Sequence, residues 1–477
     1  MTTTHKKRLW LAAGVVLFLV TLLMVPDAAM PQAANRVAAV AVLMAVLWIG
    51  EAIPIPATAL LPVVLFPSLG VMPVESATAN YAHHLVFLFL GGFWIAAAVE
   101  HSGLHRRIAL HVLRIMGSRA DRIVFGFMAA TAFLSMWLSN TATTMMMLPI
   151  AIAVASRPGA TANSPFGRSL MLGIAYAASI GGVATLIGTP PNAVLAGIVE
   201  QTQGITIGFW QWMQFGLPLA FVMLLVCWWY LTRGAASLDR IETDQGTQLI
   251  TGELTALGPM SHAEHRVSII FLAVAFLWIF KDLIPLLKLI SITDSGIAIA
   301  GALMLFVIPA GTKEPSALLN WRSAARIPWD VLILFGGGFA LAQGFQQSGL
   351  TGWIGSQLGF LDQVHWLIMV VAVAMVTIFL TELTSNTATA SMLLPIVAGL
   401  AAAAGQEALL PMVATALAAS FAFMLPVATP PNAIVFASRQ VTMAEMARAG
   451  IWMNLIGMLL ITLAVSVWLP QVWAISP

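Results

Sequence analysis

Apolar segments of about twenty residues recur along almost the whole of this 477-residue chain, and a membrane-spanning helix needs segments of about that length. Lipid offers no hydrogen-bond partners, so the backbone of each spanning segment must be paired within a helix or between the strands of a closed barrel. The segments are rich in Leu, Ala, Val and Met and do not alternate strictly, which favours helices over barrel strands. We therefore predict an all-α polytopic membrane protein.

The composition excludes several other classes of protein. Charged residues make up 8% of the chain, against roughly 25% in a soluble domain, and no basic tract suggests nucleic-acid binding. The single cysteine, Cys227, excludes an intramolecular disulfide and a cysteine-based metal cluster, and we expect it inside a span. The basic residues 6–8 precede the first apolar run, which we interpret as a retained helix rather than a signal peptide, because many spans follow.

Hydropathy and helix-breaking residues predict eleven crossings. Two further apolar stretches, 124–155 and 366–398, are too long for one crossing and too short for two, so we predict re-entrant hairpins. The polar interval 233–265 is predicted to be a solvated cytoplasmic connector. The predicted crossings are 9–26, 36–51, 55–67, 85–101, 168–203, 210–232, 267–285, 294–310, 330–347, 408–438 and 451–470.

The distribution of basic residues predicts the orientation. With the N-terminus in the cytoplasm, only Arg36, Lys281 and Lys288 of the 21 Lys and Arg residues fall on the outer side. This asymmetry is expected of cytoplasmic loops. We predict a multi-pass protein of the plasma membrane, the bacterial inner membrane in particular, with its N-terminus inside and its C-terminus outside.

Five blocks of sequence occur twice, in the same order. The span 330–347 comes five crossings after the span 85–101, and this odd number makes the two halves antiparallel in the membrane. Inverted repeats with interrupted helices are typical of secondary transporters. At an offset of 246 the pairs include Ser139-Asn140-Thr141 with Ser385-Asn386-Thr387, and at an offset of 240 Thr189-Pro190-Pro191-Asn192 recurs as Thr429-Pro430-Pro431-Asn432.

The Ser-Asn-Thr blocks lie in the middle of the two predicted hairpins. Ser and Asn are good N-cap residues, so we expect their side chains to cap the half-helix that follows each tip. The N-terminus of such a half-helix carries partial positive charge and outward-facing amides, which favour an anion. Each tip is therefore predicted to bind part of an anionic substrate.

The Thr-Pro-Pro-Asn blocks interrupt two long spans and should leave the carbonyls near 186–188 and 427–428 without helical partners. Ser135 and Thr381 place a hydroxyl at equivalent positions before the two tips. Hydroxyl, amide and carbonyl oxygens are hard ligands, suited to a small alkali cation. No Lys or Arg lies in the two Ser-Asn-Thr blocks or the two Thr-Pro-Pro-Asn blocks, so a bound anion would need cations to offset its charge.

Other polar residues near the spans have two interpretations each. Glu382, beside the second tip, is either a proton or cation site or a structural carboxylate. His83 and His84 lie at a span boundary and are interpreted as interfacial, and no His or Cys lies near the repeated motifs to support an enzyme.

These motifs, together with Glu51-Ala52-Ile53-Pro54, resemble the divalent anion:sodium symporter family over residues 36–470. The resemblance implies a homodimer whose protomers have a scaffold domain and an elevator-type transport domain. It implies scaffold parts at 1–120 and 266–365, transport parts at 121–232 and 366–477, and the connector at 233–265.

The resemblance also implies site residues. A first sodium site would comprise Ser135, Ser139, Asn140 and Gly188, and a second Thr381, Thr384 (through its carbonyl), Asn386 and Ala428. The implied substrate site comprises Ser139, Asn140, Thr141, Ser385, Asn386, Thr387, Thr189 and Thr429.

The leading hypothesis is a secondary transporter that couples Na⁺ to uptake of a C4-dicarboxylate such as succinate, malate or fumarate. The alternatives are a sodium-independent dicarboxylate exchanger and a sulfate or citrate carrier of the same family. A channel or an intramembrane enzyme is a hypothesis of another class.

Overall fold

The computed structural model describes residues 3–23, 30–117, 119–155, 164–233, 244–284, 292–311, 316–357 and 364–473. These residues form an all-helical protein, as the apolar composition requires. Its α-helices, with a 3₁₀ turn at Asn80–Ala82 and a π turn at Ala464–Trp468, are Thr3–Leu23, Gln32–Gly50, Ile55–Ala59, Leu61–Ser68, Val74–Ala79, His84–Ser102, Leu104–Ile115, Ala120–Ser135, Asn140–Ala155, Pro165–Gly182, Pro190–Gln203, Phe209–Arg233, Asp244–Ala256, His262–Phe280, Asp294–Val307, Trp321–Ala324, Trp329–Gln347, Leu350–Gln357, Trp366–Thr381, Asn386–Ala403, Leu409–Ala419, Pro430–Ala437, Met443–Leu463 and Leu469–Trp473.

Most of the predicted crossings correspond to helices. Among the described residues, six helical segments are long and apolar enough to cross a membrane, and several shorter apolar helices accompany them. The fold class is therefore confirmed, whereas the number of crossings stays a prediction. The six segments are Gln32–Gly50, Val74–Ser102, Phe209–Arg233, His262–Phe280, Asn386–Ala403 and Met443–Trp473.

Two predicted regions differ in detail. The span 55–67 is two short helices that meet at Leu60, because closely spaced prolines interrupt the helical hydrogen bonds. The connector 233–265 contains the helix Asp244–Ala256, which packs on Leu104–Ile115 and buries Ile250. Residues 234–243 of the connector lie outside the described residues.

Each predicted hairpin consists of two helices joined by a four-residue turn. The first hairpin pairs Ala120–Ser135 with Asn140–Ala155, and the second pairs Trp366–Thr381 with Asn386–Ala403. In both, the returning helix begins at the Asn of the Ser-Asn-Thr block. The motif therefore lies at the tip, where the chain reverses.

Each Thr-Pro-Pro-Asn block begins the second half of an interrupted helix. The first break, 183–189, separates Pro165–Gly182 from Pro190–Gln203, and the second, 420–429, separates Leu409–Ala419 from Pro430–Ala437. Proline begins the second half in both cases, since the first turn of a helix has no use for the missing N–H.

The hairpins and broken helices interlock across the repeats. The returning helix of the first hairpin packs on Pro430–Ala437 of the second repeat, and that of the second hairpin packs on Pro190–Gln203 of the first. This packing between the repeats brings both tips and both breaks to one region of the protein. The repeated sequence alone does not predict that they meet.

Candidate functional site

At the first tip, three oxygen atoms from separate parts of the chain converge. The Ser135 hydroxyl lies 2.6 Å from Asn140 Oδ1 and 2.7 Å from the carbonyl oxygen of Ala178. We call these three oxygens the first cluster. Ser135 is completely buried, and the Asn140 side chain connects it to the tip.

The second tip repeats this geometry. The Thr381 hydroxyl lies 2.8 Å from Asn386 Oδ1 and 2.9 Å from the carbonyl oxygen of Ala419. We call these three oxygens the second cluster. The structure therefore brings together the predicted pairs Ser135 with Asn140 and Thr381 with Asn386.

Each cluster contains more acceptors than one hydroxyl can satisfy. A Ser or Thr hydroxyl has a single proton to donate, yet two oxygen acceptors lie within 2.9 Å of it in both clusters. A small cation binds three such oxygens together without needing a proton from any of them. The donor set, with one hydroxyl, one amide and one carbonyl, fits an alkali ion.

The backbone of the first break approaches the first cluster closely. A Cβ atom at Gly182 would lie 2.9 Å from Asn140 Oδ1 and 3.0 Å from the Gly188 carbonyl oxygen. Gly188 itself packs against Gly182, where a Cβ would lie 2.5 Å from the Gly182 oxygen. The predicted ligand Gly188 is therefore placed beside Asn140, and the approach depends on glycine at both positions.

The Asn residues of the Thr-Pro-Pro-Asn blocks hold the breaks together. Asn192 Nδ2 donates to the carbonyls of Gly182 and Thr185, and Asn432 Nδ2 donates to those of Ala422 and Leu425. Each Asn side chain thus donates hydrogen bonds to two backbone carbonyls that have lost their helical partners at the break. The motif itself contains this signal, because its Asn follows the prolines at the same distance in both copies.

The capping prediction is correct at one tip only. Ser139 Oγ accepts a hydrogen bond from the Ala142 N–H at 3.2 Å, whereas Ser385 makes no side-chain cap bond. Asn140 and Asn386 do not cap either, because their side-chain oxygens accept from Ser135 and Thr381. The expectation of capping by Ser385 and both Asn residues is therefore wrong, since the turn directs the Asn amides back to the preceding helix.

Glu382 is anchored among hydrogen-bond donors. Its carboxylate accepts from the backbone N–H groups of Met424 and Leu425 at 2.9 and 3.0 Å, and from Asn454 Nδ2 at 2.8 Å. The side chain is nearly inaccessible to solvent, and it fixes the second break to the second hairpin. These bonds favour the interpretation of Glu382 as a structural carboxylate.

Thr384 directs its hydroxyl away from the second cluster. The hydroxyl lies 2.9 Å from the Leu380 carbonyl oxygen, to which it donates, and 2.5 Å from Thr389 Oγ1, in a bond that either hydroxyl can donate. Only the Thr384 carbonyl is left for a cation, in keeping with the sequence-based expectation.

One large cavity, of about 1070 Å³, lies between the two tips and the two breaks. Ser135 and Thr381 do not line it and lie behind the two Asn residues. The exposed residues Glu51, Glu100, His101, Arg326 and Asp330 also line the cavity and mark its mouth. From the predicted sites, its walls include Ser139, Asn140, Thr141, Gly188, Thr189, Thr384, Ser385, Asn386, Thr387, Ala428 and Thr429.

Three contributors to this region were not predicted from the sequence. The carbonyls of Ala178 and Ala419 carry no sequence signal, because any residue supplies the same backbone oxygen. Arg326 lies outside the repeated blocks, and only the folded chain places it at the cavity. Cys227 is buried within Phe209–Arg233, as predicted.

The sequence also matches a known family along almost its whole length. The model of the sodium:sulfate symporter transmembrane region covers residues 5–475. The chain belongs to this family. The match confirms the resemblance drawn from the doubled motifs, and it makes the chain a symporter-family transporter rather than an enzyme.

Two relatives carry the same name. The sodium-dependent dicarboxylate transporter SdcS of Staphylococcus saprophyticus is 42% identical over 479 residues, covering 98% of this chain and 92% of the relative. SdcS of Staphylococcus aureus strain USA300 is 43% identical over the same shares of the two chains.

Two solved transporter structures share the fold. MtrF of Neisseria gonorrhoeae superposes with a TM-score of 0.58 at 14% identity, covering 98% of this chain and 96% of MtrF. YdaH of Alcanivorax borkumensis superposes with a TM-score of 0.52 at 14% identity, covering 85% of this chain and 88% of YdaH. At this identity the likeness concerns the fold alone.

Proposed function

We propose that this transporter couples Na⁺ to the uptake of C4-dicarboxylates such as succinate, malate and fumarate. The observation that carries the proposal is the pair of equivalent oxygen clusters, each joined by an Asn to the wall of one shared cavity. The names of the two SdcS relatives, at 42% and 43% identity, favour dicarboxylate and sodium as the transported species.

The substrate would bind between the tips. The helices Asn140–Ala155 and Asn386–Ala403 both begin at the cavity, so their N-terminal partial charges face one carboxylate each. Hydroxyls of Ser139, Thr141, Ser385, Thr387, Thr189 and Thr429 would add donors to the carboxylate oxygens.

Two bound sodium ions would offset the two negative charges of the substrate. A dianion in a low-dielectric site is costly unless opposite charges lie nearby. Asn140 and Asn386 each have their Oδ1 in a cluster while the residue lines the cavity, so cation binding would fix the surface that the substrate meets. This shared residue gives the coupling its physical basis.

The movement would be of the elevator type, in a homodimer in the bacterial inner membrane. The transport parts, 121–232 and 366–477, would carry the cavity past scaffold parts 1–120 and 266–365. The charged residues at the cavity mouth belong to the side that the basic residues assign to the cytoplasm, so this conformation corresponds to substrate release inside the cell. The N-terminus would lie inside and the C-terminus outside.

Uptake of labelled succinate into proteoliposomes tests the proposal. We expect accumulation with an inward sodium gradient and none when choline replaces sodium. Equal uptake in choline would contradict the coupling. Counter-flow from liposomes preloaded with succinate, without sodium, would instead indicate an exchanger.

Sulfate is the second candidate substrate, because the matched family description names sodium and sulfate. Competition against labelled succinate separates the candidates. We expect unlabelled malate and fumarate to compete, and stronger competition by sulfate or citrate would reassign the substrate.

A further inference from the structure

A cluster of two histidines and a glutamate lies far from the sodium and substrate residues. His84 Nε2 lies 2.7 Å from Glu200 Oε2, and His83 Nε2 lies 3.7 Å from the same oxygen. The three ligand atoms all lie within 4.8 Å of one another. His84 and Glu200 are partly exposed, so an ion in solution can reach them.

The cluster joins two helices that belong to different parts of the proposed mechanism. His83 and His84 begin the helix His84–Ser102, in the scaffold part, whereas Glu200 is near the end of Pro190–Gln203, in the transport part. Beside it, Gln201 donates to Asn80, which donates to Gln343, so the same junction has further polar contacts.

The cluster lies at the end of these helices opposite to the cavity mouth. Glu100 lines the mouth and follows His84 by 16 residues on one helix, about 24 Å at 1.5 Å per residue. Glu200 follows Pro190, which lines the cavity, by ten residues, or about 15 Å. By the basic-residue assignment this is the outer side.

Two imidazoles and one carboxylate are a ligand set typical of zinc. Zn²⁺ takes His nitrogen and carboxylate oxygen at about 2.0–2.2 Å in tetrahedral geometry, often with water in the fourth position. Those bond lengths require ligand atoms about 3.3–3.5 Å apart, whereas the two histidine–glutamate pairs are 2.7 and 3.7 Å apart and no pair in the cluster exceeds 4.8 Å. Each pair therefore has to shift by no more than about 1.5 Å, which rotation of the part-exposed His84 and Glu200 side chains supplies.

One competing interaction must be given up. His83 Nδ1 accepts a hydrogen bond from the Leu85 N–H at 3.4 Å, which places the proton of the neutral ring on Nε2. Zinc at Nε2 requires the other tautomer. This hydrogen bond is long, and the His83 ring also contacts the rings of His84 and Phe339. Losing the bond to Leu85 is therefore a small cost compared with the gain of two metal–nitrogen bonds.

We propose that His83, His84 and Glu200 form a Zn²⁺ site that ties Pro190–Gln203 to His84–Ser102. The effect on transport rests on the proposed function, because only a moving transport part would be arrested by such a tie. An ion at this site holds the protein in the conformation seen here, with the cavity open on the opposite side, and it inhibits uptake.

The first test measures binding, which does not depend on transport. Isothermal titration calorimetry with ZnCl₂ and the purified full-length protein should give one zinc ion per chain. His84→Gln and Glu200→Gln should each weaken the affinity at least about tenfold. The matched control is His365→Gln, because His365 also accepts from a backbone N–H two residues later, at Leu367, and among the described residues it belongs to no group of three or more metal-ligating side chains.

The second test measures succinate uptake into proteoliposomes with Zn²⁺ on both sides of the membrane. We expect zinc to inhibit the wild type and the His365→Gln variant but not His84→Gln or Glu200→Gln, all of which transport normally without zinc. Absence of zinc binding, or equal binding by all variants, would overturn the site. Binding without inhibition would overturn the tie between the helices.

The two proposals fail in distinguishable ways. A wild type that takes up no succinate in zinc-free buffer contradicts the proposed function, while calorimetry still decides the zinc site. If Glu200→Gln does not elute as a folded protein in size-exclusion chromatography, His84→Gln decides the result.

Discussion

In the first repeat the oxygen cluster around Ser135 lies against two glycines, whereas in the second the cluster around Thr381 lies beside a buried carboxylate. The positions of Gly182 and Gly188 are occupied by Ala422 and Ala428 in the second repeat, and that of Met136 by Glu382. The hydroxyl, amide and carbonyl oxygens nevertheless take the same arrangement in both.

Apart from the equivalent bonds of Asn192 and Asn432, the two breaks are held by different hydrogen bonds. In the first, Thr185 donates to the Met136 carbonyl and the Trp212 indole donates to the Val183 carbonyl. In the second, Glu382 and Asn454 bind the backbone of 423–425. The two repeats therefore share the ligand oxygens, while close packing supports the first cluster and a polar network supports the second.

The largest effect is expected from removing the amide common to both clusters. Asn140→Ala and Asn386→Ala each delete one cluster oxygen and one residue of the cavity wall, so we expect sodium-driven succinate uptake to be abolished in both variants. The measurement is uptake into proteoliposomes, with size-exclusion chromatography to confirm folding. Asn320→Ala is the control, because Asn320 caps the short helix Trp321–Ala324 away from the clusters. Normal uptake by both variants would refute the site.

A large effect on stability is expected from the carboxylate that only the second repeat has. Glu382→Leu leaves the part-buried N–H groups of Met424 and Leu425 and the buried amide of Asn454 without this acceptor, each at a cost of about 1–3 kcal/mol. We expect a loss of at least about 3 kcal/mol in the free energy of unfolding. Thermal unfolding of the purified protein in detergent measures it.

The matched control makes the same change at the equivalent position of the first repeat. Met136→Leu keeps the volume nearly constant, so its cost should stay below about 1.5 kcal/mol. Equal losses in the two variants would show that Glu382 contributes no more than packing.

Much of this site could be predicted from the sequence, because both of its motifs occur twice in the chain. The doubled Ser-Asn-Thr and Thr-Pro-Pro-Asn blocks indicated the hairpins, the broken helices and the pairing of Ser135 and Thr381 with the tips. The carbonyls of Ala178 and Ala419 were not predictable, since they lie 43 and 38 residues from their hydroxyl partners and no side chain marks them. The role of Glu382 required the fold, because its donors lie 42 and more residues away.

A smaller effect, on sodium affinity alone, is expected from substituting Gly182, the glycine beside the first cluster that the second repeat replaces with Ala422. Gly182→Ala places a methyl group 2.9 Å from Asn140 Oδ1, so Asn140 or the Gly188 carbonyl must shift. Overpacking of this kind costs about 1–3 kcal/mol, and about 1.4 kcal/mol corresponds to a tenfold weaker affinity. We expect the sodium concentration for half-maximal uptake to rise about tenfold. Ala422→Gly, the reverse change at the second break, should leave it nearly unchanged, and a similar shift in both would contradict the difference between the repeats.

The smallest effect is expected from the hydroxyl of Thr384, whose equivalent in the first repeat is Leu138. The hydroxyl bonds to Leu380 and Thr389 rather than to the second cluster, so only the Thr384 carbonyl is available to a cation. Thr384→Val keeps the shape and the carbonyl, and we expect a stability loss of about 1 kcal/mol with an unchanged sodium dependence of uptake. Thr381→Val is the matched comparison, since it removes a cluster hydroxyl by the same chemical change and should weaken sodium dependence strongly. If Thr384→Val weakened it equally, the hydroxyl of Thr384 would have to turn toward the cation, and the second cluster would contain a side-chain ligand that the first lacks.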